Sequence, residues 1–171
     1  MYSFRNDYSE GAHPRVLQAL TDSNLEQTVR SGLDPRCEEA RSLIRRLCAA
    51  PAADVHFLVG GTQANLVTIA SLLQPYEAVI AAHTGHVNVH ETGAIEATGH
   101  KVCTAPSPDG KLTPALVESV LAGHNGTEHM VSPRLVYISD TTETGTVYTK
   151  AELTALRACC DTHGLLLFLD G

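Results

Sequence analysis

Apolar residues along the chain fall into two alternating patterns: short unbroken runs, and longer stretches with apolar positions three or four apart. The runs Val55–Val59, Ala78–Ala82, His100–Thr104, Leu135–Ser139 and Leu165–Leu169 predict strands buried on both faces. Helical periodicity fills the intervals. It starts at Pro14 with Val16, Leu17 and Leu20, and continues in Cys37–Ala50, where Ala40, Leu43, Ile44 and Leu47 point inward and Arg41, Arg45 and Arg46 form a solvated face. It returns in 62–73 (Leu66, Ile69, Ala70, Leu73), in Asn88–Thr98, from Thr113-Pro114 through Leu121, and in Lys150–Thr162, which Gly164 is placed to cap. Five strand–helix alternations predict an α/β fold of three layers, a mostly parallel sheet between helices. Residues 1–14 read as a polar arm and 15–171 as one domain. A strand as apolar as Leu165–Leu169 is expected at the centre of a sheet. With only Asp170-Gly171 after it, the chain reads as the first part of a longer protein; the alternative is a five-strand domain with that strand at its edge.

Composition narrows the function classes. The 171 residues are 43% hydrophobic and carry a net charge of −7. No Lys/Arg stripe exists to neutralise a nucleic-acid backbone. No run approaches a membrane span, and the start lacks the apolar core of a signal peptide, so a cytoplasmic protein without membrane partners is expected. The cysteines are odd in number, Cys37, Cys48, Cys103, Cys159 and Cys160, with no Cys-x-x-Cys pair. They fit a reducing compartment, with the last four as small core residues. Asn125-Gly126-Thr127 matches a glycosylation sequon but reads as a turn.

Chemistry gathers at the expected carboxyl ends of the strands, where parallel α/β sheets bind ligands. Gly60-Gly61-Thr62 turns a strand into a helix, leaving free N–H groups and a favourable dipole for an anion such as phosphate. Its spacing is neither the Walker nor the Gly-x-Gly-x-x-Gly pattern. His83–Glu91, Asp140-Thr141 and Asp170 follow at other strand ends. Such an Asp is ordinarily a cap or turn former; beside an imidazole and a phosphate turn it could instead keep a pyridine nitrogen protonated. The spacing of His83, His86 and His90 invites a zinc reading. Gly85, Val87 and Val89 disfavour the helix it needs, so no metal site is expected.

These residues resemble the threonine aldolases, pyridoxal 5'-phosphate enzymes of the aspartate-aminotransferase fold (fold type I) grouped with the β-eliminating lyases. Gly61-Thr62-Gln63-Ala64-Asn65 is similar to the family's phosphate-binding Gly-Thr-x-x-Asn turn. His86, in His-x4-Glu-x-Gly-Ala with Glu91, matches the imidazole that stacks on the cofactor. His129 matches a second active-site histidine, and Leu169-Asp170-Gly171 resembles the start of Asp-Gly-Ala-Arg, whose Asp binds the pyridine nitrogen. Arg5-Asn6-Asp7 corresponds to an Arg-Ser-Asp near the substrate and Gly32-x-Asp34-Pro35 to a Tyr-Gly-x-Asp-Pro loop. Three positions depart: Asn6 for serine, Ser31 for tyrosine, and Asp140-Thr141-Thr142 for Asn-Thr-His.

The resemblance implies cleavage of β-hydroxy-α-amino acids, threonine to glycine and acetaldehyde, by a homodimer or homotetramer. It implies His86 and His129 as catalytic, Gly61, Thr62, His86, Thr141 and Asp170 as cofactor-binding, and Asn6 and Glu91 as substrate-binding. The Schiff-base lysine would lie beyond residue 171, since Lys101, Lys111 and Lys150 begin a strand, a loop and a helix. The chain alone is therefore expected to be inactive. Alternatives are a β-eliminating lyase or aminotransferase on the same scaffold, or a non-catalytic fragment.

Overall fold

The computed structural model describes residues 3, 6, 8–30, 32–124 and 126–171. The chain forms two compact units, one through Phe57 and one comprising Leu58–Gly171; the sequence had pointed to a boundary at residue 14. No helix among the described residues is long and apolar enough to cross a membrane.

In the first unit, α1 (Pro14–Ser23) and α2 (Pro35–Leu47) both begin on proline. The proline ring suits the first turn, where an N–H would have no partner. Asp34 caps α2 by accepting the Cys37 N–H at 3.0 Å. The expected inward faces are not buried: Val16, Leu17, Leu20, Leu43 and Ile44 are exposed, Leu47 is 84% exposed, and Cys48 is exposed rather than a core residue. Two helices of this length present no opposing apolar layer within the unit. Arg41 and Arg45 are not simply solvated. Arg41 donates to Gly32 O (2.6 Å) and Val55 O (3.2 Å), and Arg45 donates to Ala53 O (2.9 Å). These bonds account for a second difference. Val55–Val59 is not a strand: the Val55 carbonyl goes to the Arg41 guanidinium, Val59 lies in a bend, and no strand pairs with the segment among the described residues.

The second unit is built on four parallel strands in the order β2-β1-β3-β4. These are β1 (Glu77–Ala82), β2 (Val102–Ala105), β3 (Ser132–Ser139) and β4 (Leu166–Asp170). The four matching apolar runs were placed within three residues at each end, and four strands stand among the described residues where five were expected. Alternation along the strands divides the core. Val79, Ala81, Leu135 and Tyr137 pack with Ile69 and Leu73 of the α3 side (α3, Gly61–Leu72). Ile80, Val136 and Ile138 pack on the other face against α6 (Pro114–Ala122) and α7 (Lys150–His163). This is the expected three-layer arrangement. The β1–β3 register skips Arg134 between Ala78↔Pro133 and Val79↔Leu135; Pro133 has no N–H to give the ladder, and one extra residue restores pairing. Within this chain β4 is an outer strand of the sheet, and Leu169 is 47% exposed.

The helix expected over Asn88–Thr98 is two single turns, α4 (His86–Val89) and α5 (Ala94–Ala97). Thr92 and Gly93 sit at φ +56° and +74°, in the left-handed region that interrupts a right-handed helix. α4 also starts at His86, where the neighbouring glycine and valines had argued against helix; Gly85 serves as its N-cap.

Helix α7 carries a complete capping box. Thr149 Oγ1 accepts the Glu152 N–H at 3.2 Å, and the Glu152 carboxylate accepts the Thr149 N–H at 2.6 Å and the Lys111 ammonium at 3.0 Å. Those bonds, the backbone one first, hold the Glu152 carboxyl down at about 2. Thr149→Ala removes the cap and is expected to cost about 1 kcal/mol of stability, read from the urea midpoint at unchanged slope.

Candidate active site

Parallel pairing brings Ala82, Ser139 and Asp170 to one edge of the sheet, and the segments leaving that edge form a cleft of about 330 Å³. It is lined by Gly61 and Asn65 of α3, His86 of α4, Ser139, Asp140, Thr141 and Glu143 after β3, and Asp170 and Gly171 after β4. The volume is that of a small-ligand site.

A chain of hydrogen bonds runs beneath it. Glu91, fully buried, takes the Asn65 amide (2.6 Å) and His86 Nδ1 (2.8 Å) on the same oxygen, Oε1. The same amide nitrogen gives its second hydrogen to Asp170 Oδ2 at 3.0 Å. The Tyr137 hydroxyl also donates to Oδ2, at 2.5 Å, and receives the Ser139 hydroxyl at 3.3 Å. Burial, then the bond to Asp170, pushes the Tyr137 phenol far up, so it remains a donor at neutral pH. Asn65, 2% exposed, is thus the joint between two carboxylates. The two side-chain bonds at Asp170 both fall on Oδ2, and the buried Glu91 Oε2 has no partner among the described residues.

The bonds fix how His86 presents itself. With Glu91 accepting, the Nδ1 hydrogen is committed and Nε2 keeps its lone pair, the arrangement by which a carboxylate orients a basic imidazole. The first three N–H groups of α3 have no acceptor within the helix, whose first bond is Ala64 N–H to Gly60 O. A Cβ at Gly60 or Gly61 would meet nothing within 4 Å, so the helix start is open.

Of the residues singled out in the sequence, Gly61, His86, Thr141 and Asp170 line the cleft. Thr62 is one step along α3 and exposed. The Glu91 carboxylate is fully buried, bonds His86 and Asn65, and does not line the cleft. His129 is not brought in. It lies on an exposed turn before β3, and the eight residues of that strand put about 26 Å of extended chain between it and the cleft edge. Asn6 belongs to the other unit, where its Oδ1 accepts the Ser9 hydroxyl; Arg5, Asp7, Ser31 and Asn125 are outside the described residues. His83 Nδ1 accepts the Ser107 N–H, a structural bond, and His90 closes α4. Sequence reasoning gave no role to Asn65 or Tyr137. Asn65 sat inside the quoted turn motif, and its spacing from Gly61 marks the buried face of α3; nothing marked Tyr137.

The sequence matches the beta-eliminating lyase profile over residues 4–171. The chain belongs to the beta-eliminating lyase family. Within reach of that family, it is 36% identical over 170 residues to the low-specificity L-threonine aldolase of Pseudomonas sp. strain NCIMB 10558, covering 98% of this chain and 49% of that protein. The structure of the threonine aldolase of Leishmania major superposes with a TM-score of 0.96 at 57% identity, covering all of this chain and 50% of that one. An archaeal alanine:glyoxylate aminotransferase shares the fold, with a TM-score of 0.66 at 16% identity over 91% of this chain and 40% of its own. This member of the beta-eliminating lyases spans about half the length of the relatives it matches.

Proposed function

We propose that this chain carries the cofactor-binding cleft of a pyridoxal 5'-phosphate-dependent aldolase acting on β-hydroxy-α-amino acids such as threonine. The observation that carries the reading is the line His86–Glu91–Asn65–Asp170, which offers a base and a carboxylate to one cleft at the start of α3. The names of the 36% and 57% identical relatives support the substrate class.

The residues fit the cofactor. The free N–H groups opening α3 would hold its phosphate, with Thr62 as an added hydroxyl donor, and Oδ1 of Asp170 would meet its ring nitrogen. When bound, it supplies an electron sink for the pair released as the Cα–Cβ bond breaks. The protein's part is positional and protonic. His86 Nε2, its tautomer set by Glu91, takes the proton of the substrate's β-hydroxyl. Thr141 lines the cleft opposite α3 and closes it on the β3 side. Lys101, Lys111 and Lys150 do not line the cleft, and Lys111 is engaged by Glu152. The lysine implied by the family resemblance is none of these. Activity is therefore sought in the longest reading frame that carries this chain. The same reading includes a cytoplasmic setting, supported by five free cysteines, and a dimeric or tetrameric enzyme.

The test is glycine release from L-threonine with pyridoxal 5'-phosphate; none from that longer protein sinks the reading. Glu91→Gln sharpens it. A glutamine amide can donate to Nδ1 and so reverse the tautomer, and turnover is expected to fall about 100-fold or more while cofactor affinity changes little. Undiminished turnover would remove His86 from the role of base.

A further inference from the structure

We propose that Glu118, Cys159 and His163 form a Zn²⁺ site that ties α6 to α7. One carboxylate oxygen of Glu118, the Cys159 sulfur and one His163 ring nitrogen lie within 4.8 Å of one another. His163 Nε2 stands 3.7 Å from Glu118 Oε1. In a tetrahedral zinc site, bonds of about 2.0–2.3 Å place neighbouring ligand atoms about 3.3–3.8 Å apart. The imidazole–carboxylate edge already has that length, and rotation of two exposed side chains supplies the remaining contraction.

The elements explain the convergence. Cys159 and His163 are four residues apart on α7, hence stacked on one helical face. Glu118 comes from α6, which packs against α7. Cys159 is buried, giving the site a rigid floor, while Glu118 and His163 form its rim. His163 is in the last turn of α7, where the helix dipole favours a cation. Asp161, the other acid of that turn, is taken by Arg157 at 2.7 Å. Sulfur, nitrogen and oxygen together select a borderline ion such as Zn²⁺ over Ca²⁺ or Mg²⁺, which take oxygen alone. Three protein ligands leave one position for water. Burial, and then Glu118, push the Cys159 thiol up, so the metal must displace its proton. Neither helix contributes a residue to the cleft, and the site stands or falls independently of the aldolase reading.

Co²⁺ is the probe for the full 171-residue chain. One equivalent is expected to bind and give the sulfur-to-cobalt charge-transfer absorption, with Zn²⁺ displacing it. Cys159→Ser should abolish that absorption, whereas Cys103→Ser and Cys160→Ser should retain it. Because Cys159 is buried, the exposed ligands give the second reading. His163→Gln and Glu118→Gln are each expected to weaken Zn²⁺ binding by about 100-fold or more, at or beyond the top of the roughly 10- to 100-fold that loss of an outer hydrogen bond to a ligand costs, and to remove the rise in unfolding temperature that Zn²⁺ gives the parent chain. Absence of metal uptake, a charge-transfer band surviving in Cys159→Ser, or unchanged Zn²⁺ affinity in both rim variants overturns the proposal.

Discussion

Asp170→Asn is expected to weaken pyridoxal 5'-phosphate binding to this chain by one to two orders of magnitude, with little loss of stability. The two effects separate because Asp170 uses its oxygens differently. Oδ2 accepts from Asn65 and Tyr137, and an asparagine carbonyl can accept both bonds. The other position would become an amide donor facing the cleft, where a protonated ring nitrogen needs an acceptor. Loss of a hydrogen bond between charged partners is worth about 1.5–3 kcal/mol, which is about 10- to 150-fold in affinity. The measurement is a spectroscopic titration with the cofactor alongside urea unfolding of both proteins. Equal affinities would show that Asp170 is not the pyridine partner; a collapse in stability would show that its role is structural.

The second large effect is on folding. Asn65→Leu keeps the branched side-chain shape and removes the one amide shared by Glu91 and Asp170. Glu91 would keep His86 alone, with Oε2 already unpartnered in the interior. Leaving buried acceptors dry costs about 1–3 kcal/mol each, and the expected total is about 2–4 kcal/mol, non-additive because the groups share one network. Asn65→Asp tests the electrostatic side. It would set a third carboxylate between two others, raising their folded-state pKa values above those of the unfolded chain. A raised folded-state pKa favours the fold below the unfolded value and penalises it as pH rises through the folded one. Asn65→Asp should thus be most damaged at neutral pH and recover towards acid, unlike Asn65→Leu. Parallel pH profiles for the two variants would contradict a charge-bridging amide.

How far the sequence carried can be judged residue by residue. Pro14, Thr113-Pro114 and Gly164 mark helix ends by local chemistry, and local chemistry is visible in one chain. The strands were legible because burial leaves their middles apolar, as in Ala78–Ala82 of β1 and Leu135–Ile138 of β3. Asp170 was legible as a cleft residue because parallel strands deliver their carboxyl ends to one edge, whereas Gly61 was legible from its turn chemistry although no strand precedes it among the described residues. What was not legible depends on partners distant in sequence. Val55–Val59 is apolar enough for a strand, but pairing is a property of a neighbour. Leu43 and Leu47 have helical spacing, but an inward face requires something to face. His129 was placed in the site by likeness alone, and it lies on an exposed turn that does not line the cleft of this chain. Asn65 looked like part of a phosphate turn until its amide was seen to join Glu91 to Asp170.

The Asn65–Asp170 bond closes a separation of 105 residues, while Asn65–Glu91 closes 26. The longer closure costs only about 1.2 kcal/mol more in chain entropy, but contacts so distant in sequence form slowly. An intermediate with β1 and β3 paired can already hold His86 against Glu91 and Asn65, and still lack the carboxylate that β4 delivers. Cofactor capture should then lag behind the gain of most native structure during refolding. A form of quality control would follow from the proposed function: a molecule whose last strand has not docked carries His86 and the open start of α3 but lacks Asp170, so it should hold pyridoxal 5'-phosphate more weakly, and cofactor retention would report completed folding.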